Sequence, residues 1–285
     1  MSSEGVIYYN HGERALLKLS ISLHSLRKVY LGPVTILAHG PGLDKCYEIA
    51  KMFQVNIIES KLPITGHKFV YLNKCLYHTE TPYDVTIAID NDTIVLKSEF
   101  TNLFTLAKEY EFVLSQFATW GTDHGQIKSR ILSWKKYYPR MIDKALEFGK
   151  GINCGIIAFR KDSKLMQDWY KLASVGRTCS FIPDETCCQV ILPNYPHYIA
   201  DTSYNTSCKY GVVNNDTKII HYHGRKHCRI ENNQYVNHSD VWYKNFEKIR
   251  HIPLIQSLIP LDKYLRDPLI VHDSLKIHPV EETVS

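Results

Sequence analysis

The sequence lacks the features that would place it in a membrane or mark it for secretion. It has no apolar run of the roughly 18 to 20 residues that a bilayer-spanning helix needs. Its N-terminal stretch lacks the basic region followed by an apolar region that marks a secretory signal peptide. No Cys-x-x-Cys pair occurs, which disfavours a zinc ribbon or a dithiol redox site. We therefore expect a chain without a transmembrane span.

The composition also lacks a strong bias. Hydrophobic residues make up 44% and charged residues 22% of the 285 residues, which excludes collagen, a coiled coil and disorder throughout the chain. The formal net charge of +5 is mild, and no segment is as basic as an arm that binds nucleic acid. The densest basic stretch, 128–140, is typical of a solvated helix face, or alternatively of a patch that attracts anionic ligands. We expect a globular protein with no nucleic-acid partner.

The cysteines and the glycosylation sequons both indicate a reducing compartment. Several of the eight cysteines lie inside apolar runs, where a free thiol behaves as a small hydrophobic group. Four Asn-x-Ser/Thr sequons occur, and the first, Asn91-Asp92-Thr93, lies within the motif that we interpret below as catalytic. A glycan there would block that motif. We therefore predict a cytoplasmic location.

The chain begins with an alternation of strands and helices. Apolar, β-branched runs at 5–9, 34–38 and 55–58 predict strands, and apolar periodicity at 13–28 and 43–53 predicts the helices between them. This order is typical of a parallel sheet covered by helices. We predict one domain over 1–285, with a nucleotide-binding half at 1–115, an acceptor and catalytic half at 116–250, and a buried tail at 251–285.

The strongest chemical signal is the pair of aspartates that follows the apolar strand 85–89. Asp90 and Asp92 are two residues apart, so on extended chain their carboxylates share a face and can approach one divalent cation. Oxygen ligands of this kind suit Mg²⁺ or Mn²⁺, which in turn hold phosphate oxygens. The carboxyl ends of strands are also where α/β sheets bind ligands. The alternative is a simple turn stabilised by Asp and Asn side chains.

A second segment, 218–227, combines a strand with histidines, a glycine and basic residues. His221 or His223 can complete a metal site, because a neutral imidazole is a good ligand. Gly224 permits a close approach of the backbone to phosphate, and Arg225 and Lys226 can neutralise a diphosphate. The alternative is a cluster of surface histidines.

Two further motifs place polar groups at the ends of elements. Asn153 stands between Gly151 and Gly155 at the start of an apolar strand, where it presents an amide to a ligand or serves a turn. The segment Pro183-Asp184-Glu185 is typical of a helix start, because acidic side chains are favoured in the first turn. Asp184 is therefore either a helix N-cap or a carboxylate directed into a cleft.

In chain order these motifs resemble those of the nucleotide-sugar glycosyltransferases of the GT-A fold, in particular the glycogenin-like and related small transferases with a DXD motif. The resemblance extends from about residue 5 to about residue 230, and its specificity lies in the order and spacing of short motifs. It implies an α/β fold of the GT-A type, with a mostly parallel, twisted central sheet and helices on both faces. It also implies transfer of a hexose or pentose from a UDP-sugar donor to a hydroxyl of a saccharide or glycoprotein acceptor, with Mn²⁺ or Mg²⁺.

The resemblance assigns a role to each matching residue. It implies metal ligation by Asp90 and Asp92, together with His221 or its rival His223. It implies contacts to the uracil and ribose from the end of the first strand, and contacts to the diphosphate and donor sugar from later motifs. The uracil and ribose residues are Tyr8, Tyr9, Asn10 and Asn91; the diphosphate and donor-sugar residues are Lys74, Asn153, Gly155, Gly224, Arg225 and Lys226; and the residues at the reaction centre are Asp184 and Glu185.

The sequence departs from the family pattern in three places. Asn91 stands between the two aspartates where family members often have Ala or Ser, and its contact with ribose is expected from its polar amide. Asp184-Glu185 stands where glycogenin-like proteins often have Asp-Gln, and Arg-Lys-His follows Gly224 where they often have Lys-Pro-Trp. These departures argue against glycogenin itself. An acidic pair also occurs in inverting transferases, so the sequence favours inversion over retention, with Asp184 or Glu185 as the base.

Two alternative functions remain open, together with the role of the insertion at 116–150. A nucleotidyltransferase would use a similar fold, but the first strand lacks a Gly-rich loop bearing Arg and Lys. A non-catalytic UDP-sugar binding protein would share the motifs, although the intact acidic residues argue against it. The insertion at 116–150 has aromatic rings that either stack on an acceptor sugar or form a satellite hydrophobic cluster. These rings are Trp120, Trp134, Tyr137 and Tyr138. The motifs leave the oligomeric state open.

Overall fold

The computed structural model describes residues 3–63, 70–176, 182–223 and 238–262, together with the backbone of two short strands at 230–231 and 234–235. The strands are β1 (Glu4–His11), β2 (Val34–His39), β3 (Asn56–Glu59), β4 (Val85–Ile89), β5 (Thr93–Val95), β6 (Phe112–Gln116), β7 (Ile152–Arg160), β8 (Tyr198–Ala200), β9 (Thr206–Ser207), β10 (Ile219–His221), β11 (Ile230–Glu231) and β12 (Gln234–Tyr235). The α-helices are α1 (Leu16–Arg27), α2 (Leu43–Phe53), α3 (Tyr77–Glu80), α4 (Asn102–Tyr110), α5 (Gly125–Ser133), α6 (Pro139–Glu147), α7 (Lys164–Ser174), α8 (Pro183–Ile191), α9 (Ser239–Ile249) and α10 (Pro253–Leu258).

A seven-stranded sheet in the order β3-β2-β1-β4-β7-β6-β8 forms the centre of the molecule. Every neighbouring pair is parallel except the two that involve β7, which runs antiparallel to both β4 and β6. The strand–helix alternation of the first 60 residues produces the parallel part, because parallel neighbours need a crossover connection and a helix supplies it. The prediction of a mostly parallel α/β sheet is confirmed.

The two faces of the sheet carry separate hydrophobic cores. Val6 and Tyr8 of β1 belong to the core beneath α1, α2, α4 and α9, whereas Ile7 belongs to the core that includes α5 to α8. Successive side chains of a strand point to opposite faces, so a strand covered on both faces reads as a continuous apolar run. Helices therefore cover both faces, as the sequence predicts.

The carboxyl edge of the parallel strands gathers the ends of β1, β2, β4 and β6 and the beginning of β7. Pairing between β6 and β7 jumps from Leu114–Ile157 to Ser115–Asn153, so the intervening residues of β7 bulge from the ladder. Bulges of this kind redirect side chains and occur next to functional sites. Asn153 and Gly155 thus lie at this edge, where the main chain of Gly155 accepts a hydrogen bond from the N–H of Asp90 at 2.9 Å.

A small second sheet, in the order β5-β10-β9, brings the late part of the chain to the same edge. β10 pairs antiparallel with β5, with His221 opposite Thr93, and the N–H of Tyr222 donates to the carbonyl of Asp92 at 2.9 Å. This register fixes the position of His221 beside the aspartates.

The later part of the chain contains more helix than the sequence indicates. The insertion at 116–150 contains α5 and α6, and Pro139 occupies the first turn of α6, where its missing N–H costs nothing. In the part of the tail that is described, Ile255 and Leu258 of α10 are fully buried. Within the described ranges, no helix is both long enough and apolar enough to cross a membrane.

Candidate active site

The carboxylates of Asp90 and Asp92 converge with the imidazole of His221. The Nε2 atom of His221 lies 3.3 Å from an oxygen of Asp92 and 3.9 Å from an oxygen of Asp90. One ligand atom from each of the three residues lies within 4.8 Å of the others, and His221 is buried. Two carboxylates and an imidazole form a donor set that suits Mn²⁺ or Mg²⁺. The three residues could therefore hold one divalent cation.

The electrostatics of this cluster reflect tightly coupled charges. Burial lowers the pKa of His221, but the charge of Asp92 and its hydrogen bond outweigh burial and raise it above its ordinary value. Burial raises the pKa of Asp92, but His221 outweighs this effect and lowers that pKa well below the ordinary range. Lys74 donates to an oxygen of Asp90 at 2.8 Å and to the carbonyl of Cys154 at 2.7 Å. Lys74 thus balances part of the negative charge.

His223 has a different environment from His221. Its Nε2 lies 2.9 Å from the hydroxyl of Ser207, and its ring centroid is 4.2 Å from that of His221. Its backbone adopts a left-handed conformation, with φ of 51°, so the chain turns at this residue. Of the two histidines that the sequence offers as metal ligands, His221 is the one that joins the aspartates among the described residues.

A buried hydrogen-bonded chain extends from His221 to α5. Nδ1 of His221 is 3.0 Å from Oδ1 of Asn205, whose amide donates to Oδ1 of Asn153 at 2.8 Å. Asn153 in turn donates to Glu185 at 2.7 Å, and Glu185 accepts from Arg130 at 2.7 Å. We call these four residues (Asn205, Asn153, Glu185 and Arg130) the relay. Each member except Arg130 is buried.

Asp184 and Glu185 occupy the first turn of α8, as predicted, but their environments differ. Asp184 is not the N-cap, because α8 begins at Pro183 after Ile182 and has no side-chain cap. Among the described residues, Oδ1 of Asp184 is buried with no hydrogen-bond partner. Burial and the neighbouring Glu185 raise the pKa of Asp184 to about 7, against the opposing effect of Lys74. Glu185, by contrast, has both oxygens engaged in the relay and in a bond from the N–H of Cys154.

A groove of about 230 Å³ opens beside the two aspartates. Tyr9, His11, Tyr71 and Tyr77 contribute rings to its lining, and Lys74 contributes its ammonium group. The rings of Tyr9 and Tyr77 lie 5.6 Å apart, and the hydroxyl of Tyr9 accepts from Asn73 at 2.7 Å. A groove lined by both aromatic rings and charged groups suits a ligand that combines a ring with phosphates.

Of the two further residues predicted to contact uracil and ribose from the end of β1, Tyr8 lies elsewhere and Asn10 lies behind the groove residue Asn91. Tyr8 is a correction: its ring is fully buried on the opposite face of β1, and its hydroxyl bonds with that of Ser22 at 3.0 Å. The alternation of β1 places Tyr8 in the core and Tyr9 at the groove. Asn10 is almost fully buried and accepts from the amide of Asn91 at 3.3 Å, so it supports Asn91 from beneath.

Gly155 lies directly against His221, and its predicted place near the donor sugar stays a prediction. A Cβ atom at this position would overlap the imidazole of His221 and would lie 2.9 Å from Oδ1 of Asn153. The absence of a side chain at Gly155 therefore lets His221 lie against the backbone of β7.

Aromatic rings from the insertion form a second surface near His223. We call Phe117, Trp120, His124 and Tyr210 the aromatic shelf. The rings of Trp120 and His124 stack with centroids 3.6 Å apart, Trp120 lies 4.8 Å from Tyr210, and Phe117 lies 5.7 Å from His223. Trp134 does not belong to this surface: it is buried, and its indole N–H donates to the hydroxyl of Thr186 at 2.9 Å. For Trp134 the cluster interpretation is therefore correct.

Known proteins resemble this chain in three-dimensional structure but not detectably in sequence. No protein-family model and no curated protein sequence matches this chain. Solved structures do match. The galactosyltransferase LgtC, in complex with donor and acceptor sugar analogues, has a TM-score of 0.59 at 10% identity, over 87% of this chain and 97% of that chain. Mouse xyloside xylosyltransferase 1 has a TM-score of 0.55 at 13% identity, over 78% and 97%. The glycosyltransferase GlyE of Streptococcus pneumoniae has a TM-score of 0.60 at 13% identity, over 90% and 64%.

The fold is that of the GT-A glycosyltransferases. This confirms the predicted fold class, since the sequence motifs and the structural likeness lead to the same architecture. In this GT-A fold the Asp-Asp-His cluster lies at the carboxyl edge of the sheet, where α/β folds bind ligands.

Some predicted residues lie outside the described part of the GT-A fold. These are Gly224, Arg225 and Lys226, and their predicted contacts to a diphosphate stay predictions. The sequence reading missed other residues. Arg130 lies in the basic stretch 128–140, and Asn205 is the first residue of one of the four sequons. Neither has a local signal, because each acquires its partner from a distant segment.

Proposed function

We propose that this chain is a metal-dependent glycosyltransferase that moves a hexose or pentose from a UDP-sugar to an acceptor hydroxyl, most simply on a glycan. The observation that carries the proposal is the convergence of Asp90, Asp92 and His221 at the carboxyl edge of a GT-A sheet. Such a cluster holds a divalent cation, and such a cation holds the phosphates of a nucleotide.

The groove beside the cluster supports a nucleotide as the donor's carrier. Tyr9, Tyr71 and Tyr77 line it together with Asp90 and Lys74. A base can stack on the aromatic part while its phosphates approach the cation. In this proposal Gly224, Arg225 and Lys226, which lie outside the described residues, bind the diphosphate as their motif predicts.

Each charged residue has a separate task in the proposed reaction. A bound Mn²⁺ or Mg²⁺ supplies a Lewis acid that stabilises negative charge on the diphosphate. Lys74 orients Asp90 through their 2.8 Å contact. Asp184, with its unpartnered oxygen and a pKa raised to about 7, can hold or release a proton near neutral pH. This property makes Asp184 a better candidate than Glu185 for the reaction centre.

Inversion of the anomeric centre stays a prediction from the acidic pair. NMR of the newly formed glycosidic bond measures the configuration of the product directly. A product of opposite configuration to the donor would support Asp184 as the base that deprotonates the acceptor hydroxyl. A product of the same configuration would remove that role from both carboxylates.

The aromatic shelf supports a saccharide as the acceptor. Tyr210 is 37% exposed and Trp120 is half-buried, and Phe117 of the same shelf lies 5.7 Å from His223, the neighbour of His221. The apolar face of a sugar ring packs well on an aromatic face. Replacement of Trp120 by Ala should raise the KM for a saccharide acceptor by about tenfold while the KM for the donor changes little, as expected for loss of roughly 1.4 kcal/mol of binding. Equal changes in both KM values would place the ring outside the acceptor site.

We also propose that the protein works in a reducing compartment, the cytoplasm. Five cysteines in the described ranges, Cys46, Cys75, Cys154, Cys187 and Cys188, are buried and have free thiols. Asn205, although it forms a sequon, is only 3% exposed and has both ends of its amide engaged. A glycan on Asn205 is incompatible with this packing.

Calorimetric titration tests the donor proposal. Wild-type protein is titrated with UDP alone, with Mn²⁺ alone and with both together, and the same titrations are made on Asp92→Ala. We expect UDP binding that requires Mn²⁺ in the wild type and is lost in Asp92→Ala. The matched control is Asp143→Ala, which removes an exposed carboxylate from α6. It should bind as the wild type does.

The outcomes separate the possible functions. Absence of UDP binding at millimolar concentrations, with or without metal, rejects the UDP-sugar assignment. Metal-dependent UDP binding, followed by no transfer and no hydrolysis across a panel of UDP-sugars, would identify a non-catalytic binding protein. Metal-dependent binding with release of UDP from one sugar nucleotide identifies the donor.

A further inference from the structure

Asn205 connects the metal cluster to the interior of the protein. It is 3% exposed and lies immediately before β9, which pairs with β10 beside His221. Its amide nitrogen donates to Oδ1 of Asn153 at 2.8 Å, and its Oδ1 lies 3.0 Å from Nδ1 of His221. Both ends of the buried Asn205 amide therefore have a hydrogen-bond partner: its oxygen contacts His221 and its nitrogen contacts Asn153.

The relay determines which way each amide faces. Ionised Glu185 can only accept hydrogen bonds, so Asn153 must direct its NH₂ group at Glu185, 2.7 Å away. Oδ1 of Asn153 then accepts from Asn205 and from the N–H of Gly155, at 2.8 and 2.9 Å. Asn205 therefore presents its Oδ1 to His221.

This orientation assigns the proton of the imidazole. An amide oxygen can only accept, so Nδ1 of His221 carries a hydrogen, and Nε2 is the nitrogen left to offer a lone pair to a cation. Nε2 is the atom that faces Asp90 and Asp92. A cation at the position where the three ligand atoms converge would therefore meet Nε2 and not Nδ1.

We propose that Asn205 is the positioning residue of the metal site, and that the relay from Arg130 holds it in the orientation that makes His221 a ligand through Nε2. On this basis Glu185 anchors the relay and does not act as a base. The inference rests on the proposed metal dependence and goes beyond it, because it concerns residues that do not ligate the cation. Groups that orient a metal-binding histidine in other proteins contribute about 10- to 100-fold to metal affinity.

The test measures Mn²⁺ affinity by calorimetry in the absence of any substrate. We expect Asn205→Ala to bind Mn²⁺ about 10- to 100-fold more weakly than the wild type. The matched control is Asn245→Ala, which removes another buried amide; Asn245 lies on α9, where its side chain bonds with Lys28 and with the carbonyl of Val241. The control should retain wild-type affinity. Thermal unfolding of each variant reports whether it is folded.

A second pair of variants keeps the inference testable if Asn205→Ala does not fold. Glu185→Gln retains an oxygen that can accept from Asn153, whereas Glu185→Ala removes it. The relay predicts that Glu185→Gln restores most of the Mn²⁺ affinity that Glu185→Ala loses. Turnover adds a separate readout, since a true base would not tolerate Gln.

Each outcome decides the inference. Weak Mn²⁺ binding confined to Asn205→Ala and Glu185→Ala supports it. Wild-type affinity in folded Asn205→Ala, or equal losses in Asn245→Ala, overturns it, as do equal affinities of the two Glu185 variants. Failure of the wild type to bind Mn²⁺, both alone and with UDP present, overturns the proposed function and this inference together, and is recognised because the wild type then titrates like Asp92→Ala.

Discussion

His221 can reach the aspartates only because the residue beneath its ring has no side chain. A Cβ atom at Gly155 would overlap the imidazole, which is buried on all sides and cannot retreat. We expect Gly155→Ala to destabilise the fold by about 1 to 3 kcal/mol, as overpacking of a buried site does. It should also weaken Mn²⁺ binding, because the ring must move. Thermal unfolding and calorimetry measure the two effects.

Gly125→Ala provides the control for that substitution. Gly125 is the first residue of α5, is exposed, and has no atom within 4 Å of the position that a Cβ would take. The control should unfold at or above the wild-type temperature, since Ala is a better helix former than Gly. Unchanged Mn²⁺ affinity and stability in Gly155→Ala would contradict the proposed packing of His221.

Asp184 should make the stability of the protein depend on pH. Burial raises its pKa from 3.8 to about 7, so the folded protein binds this proton more tightly than the unfolded chain does. The resulting stabilisation is complete below pH 3.8 and is lost as the pH rises through about 7. Asp184→Asn lacks this proton and should lack the dependence. The melting temperature of the wild type, relative to Asp184→Asn, should therefore fall between pH 4 and pH 8.

The corresponding control is Asp143→Asn, which alters an exposed carboxyl on α6. Its melting temperature should follow that of the wild type at every pH, measured in metal-free buffers of constant ionic strength. A wild-type minus Asp184→Asn difference that is flat across this range would show that Asp184 is ionised in the fold throughout.

At the scale of elements, the alternation of side chains along β1 separates residues in the core from residues that line the groove. The hydroxyl of Tyr8 bonds with that of Ser22, and Ser22 bonds with Thr93, all inside the core. Tyr9 is the next residue and lines the groove. We expect Tyr8→Phe to lower the free energy of unfolding by about 1 kcal/mol, the typical contribution of a hydrogen bond, without changing UDP affinity.

Tyr9→Ala should have the opposite pattern. It removes one ring from the groove, so UDP affinity in the presence of Mn²⁺ should fall several-fold while the protein remains folded. Chemical denaturation and calorimetry on both variants measure the two quantities. If Tyr8→Phe also weakened UDP binding as strongly, the division of β1 into two faces would not describe its function.

α8 shows how packing holds a charged helix start in place. Its first turn accepts two indole hydrogen bonds, from Trp134 to the hydroxyl of Thr186 at 2.9 Å and from Trp169 to the carbonyl of Asp184 at 3.0 Å. Buried tryptophan N–H groups need such partners. The two rings thus fix the positions of Asp184 and Glu185, and Trp134 of the insertion is structural for this reason.

At the scale of the whole molecule, the site joins segments that are far apart in the chain. The residues of the Asp-Asp-His cluster come from the ends of β4 and β10. The relay residues Arg130, Glu185 and Asn153 come from α5, α8 and β7. A ligand that bridges these elements stabilises the folded state by RT ln(1 + [L]/Kd). We expect UDP with Mn²⁺ to raise the melting temperature by several degrees, since a ligand at 100 times its Kd contributes about 2.7 kcal/mol.

Removal of the metal tests the same coupling in reverse. Addition of EDTA to the complex should return the melting temperature to that of the free protein, and Asp92→Ala should show no rise at all. A rise with UDP that persists in EDTA would mean that the nucleotide binds without the cation.

Much of this protein follows from local sequence patterns. The five alternating elements at its beginning, the paired aspartates after β4 and the acidic start of α8 all depend on residues close together in the chain. The period of the apolar residues determines such elements, and the end of a strand determines where its polar residues emerge. The GT-A fold and the position of the aspartates were therefore predictable.

Long-range packing decided the rest. The register of β10 on β5 determines that His221, and not His223, meets the aspartates. The side of β1 that faces the core determines that Tyr8 is structural and Tyr9 lines the groove. Arg130 and Asn205 enter the site only through partners distant in sequence. A shift of one residue in register reverses every face of a strand, and a single sequence does not reveal that choice until the strands are paired.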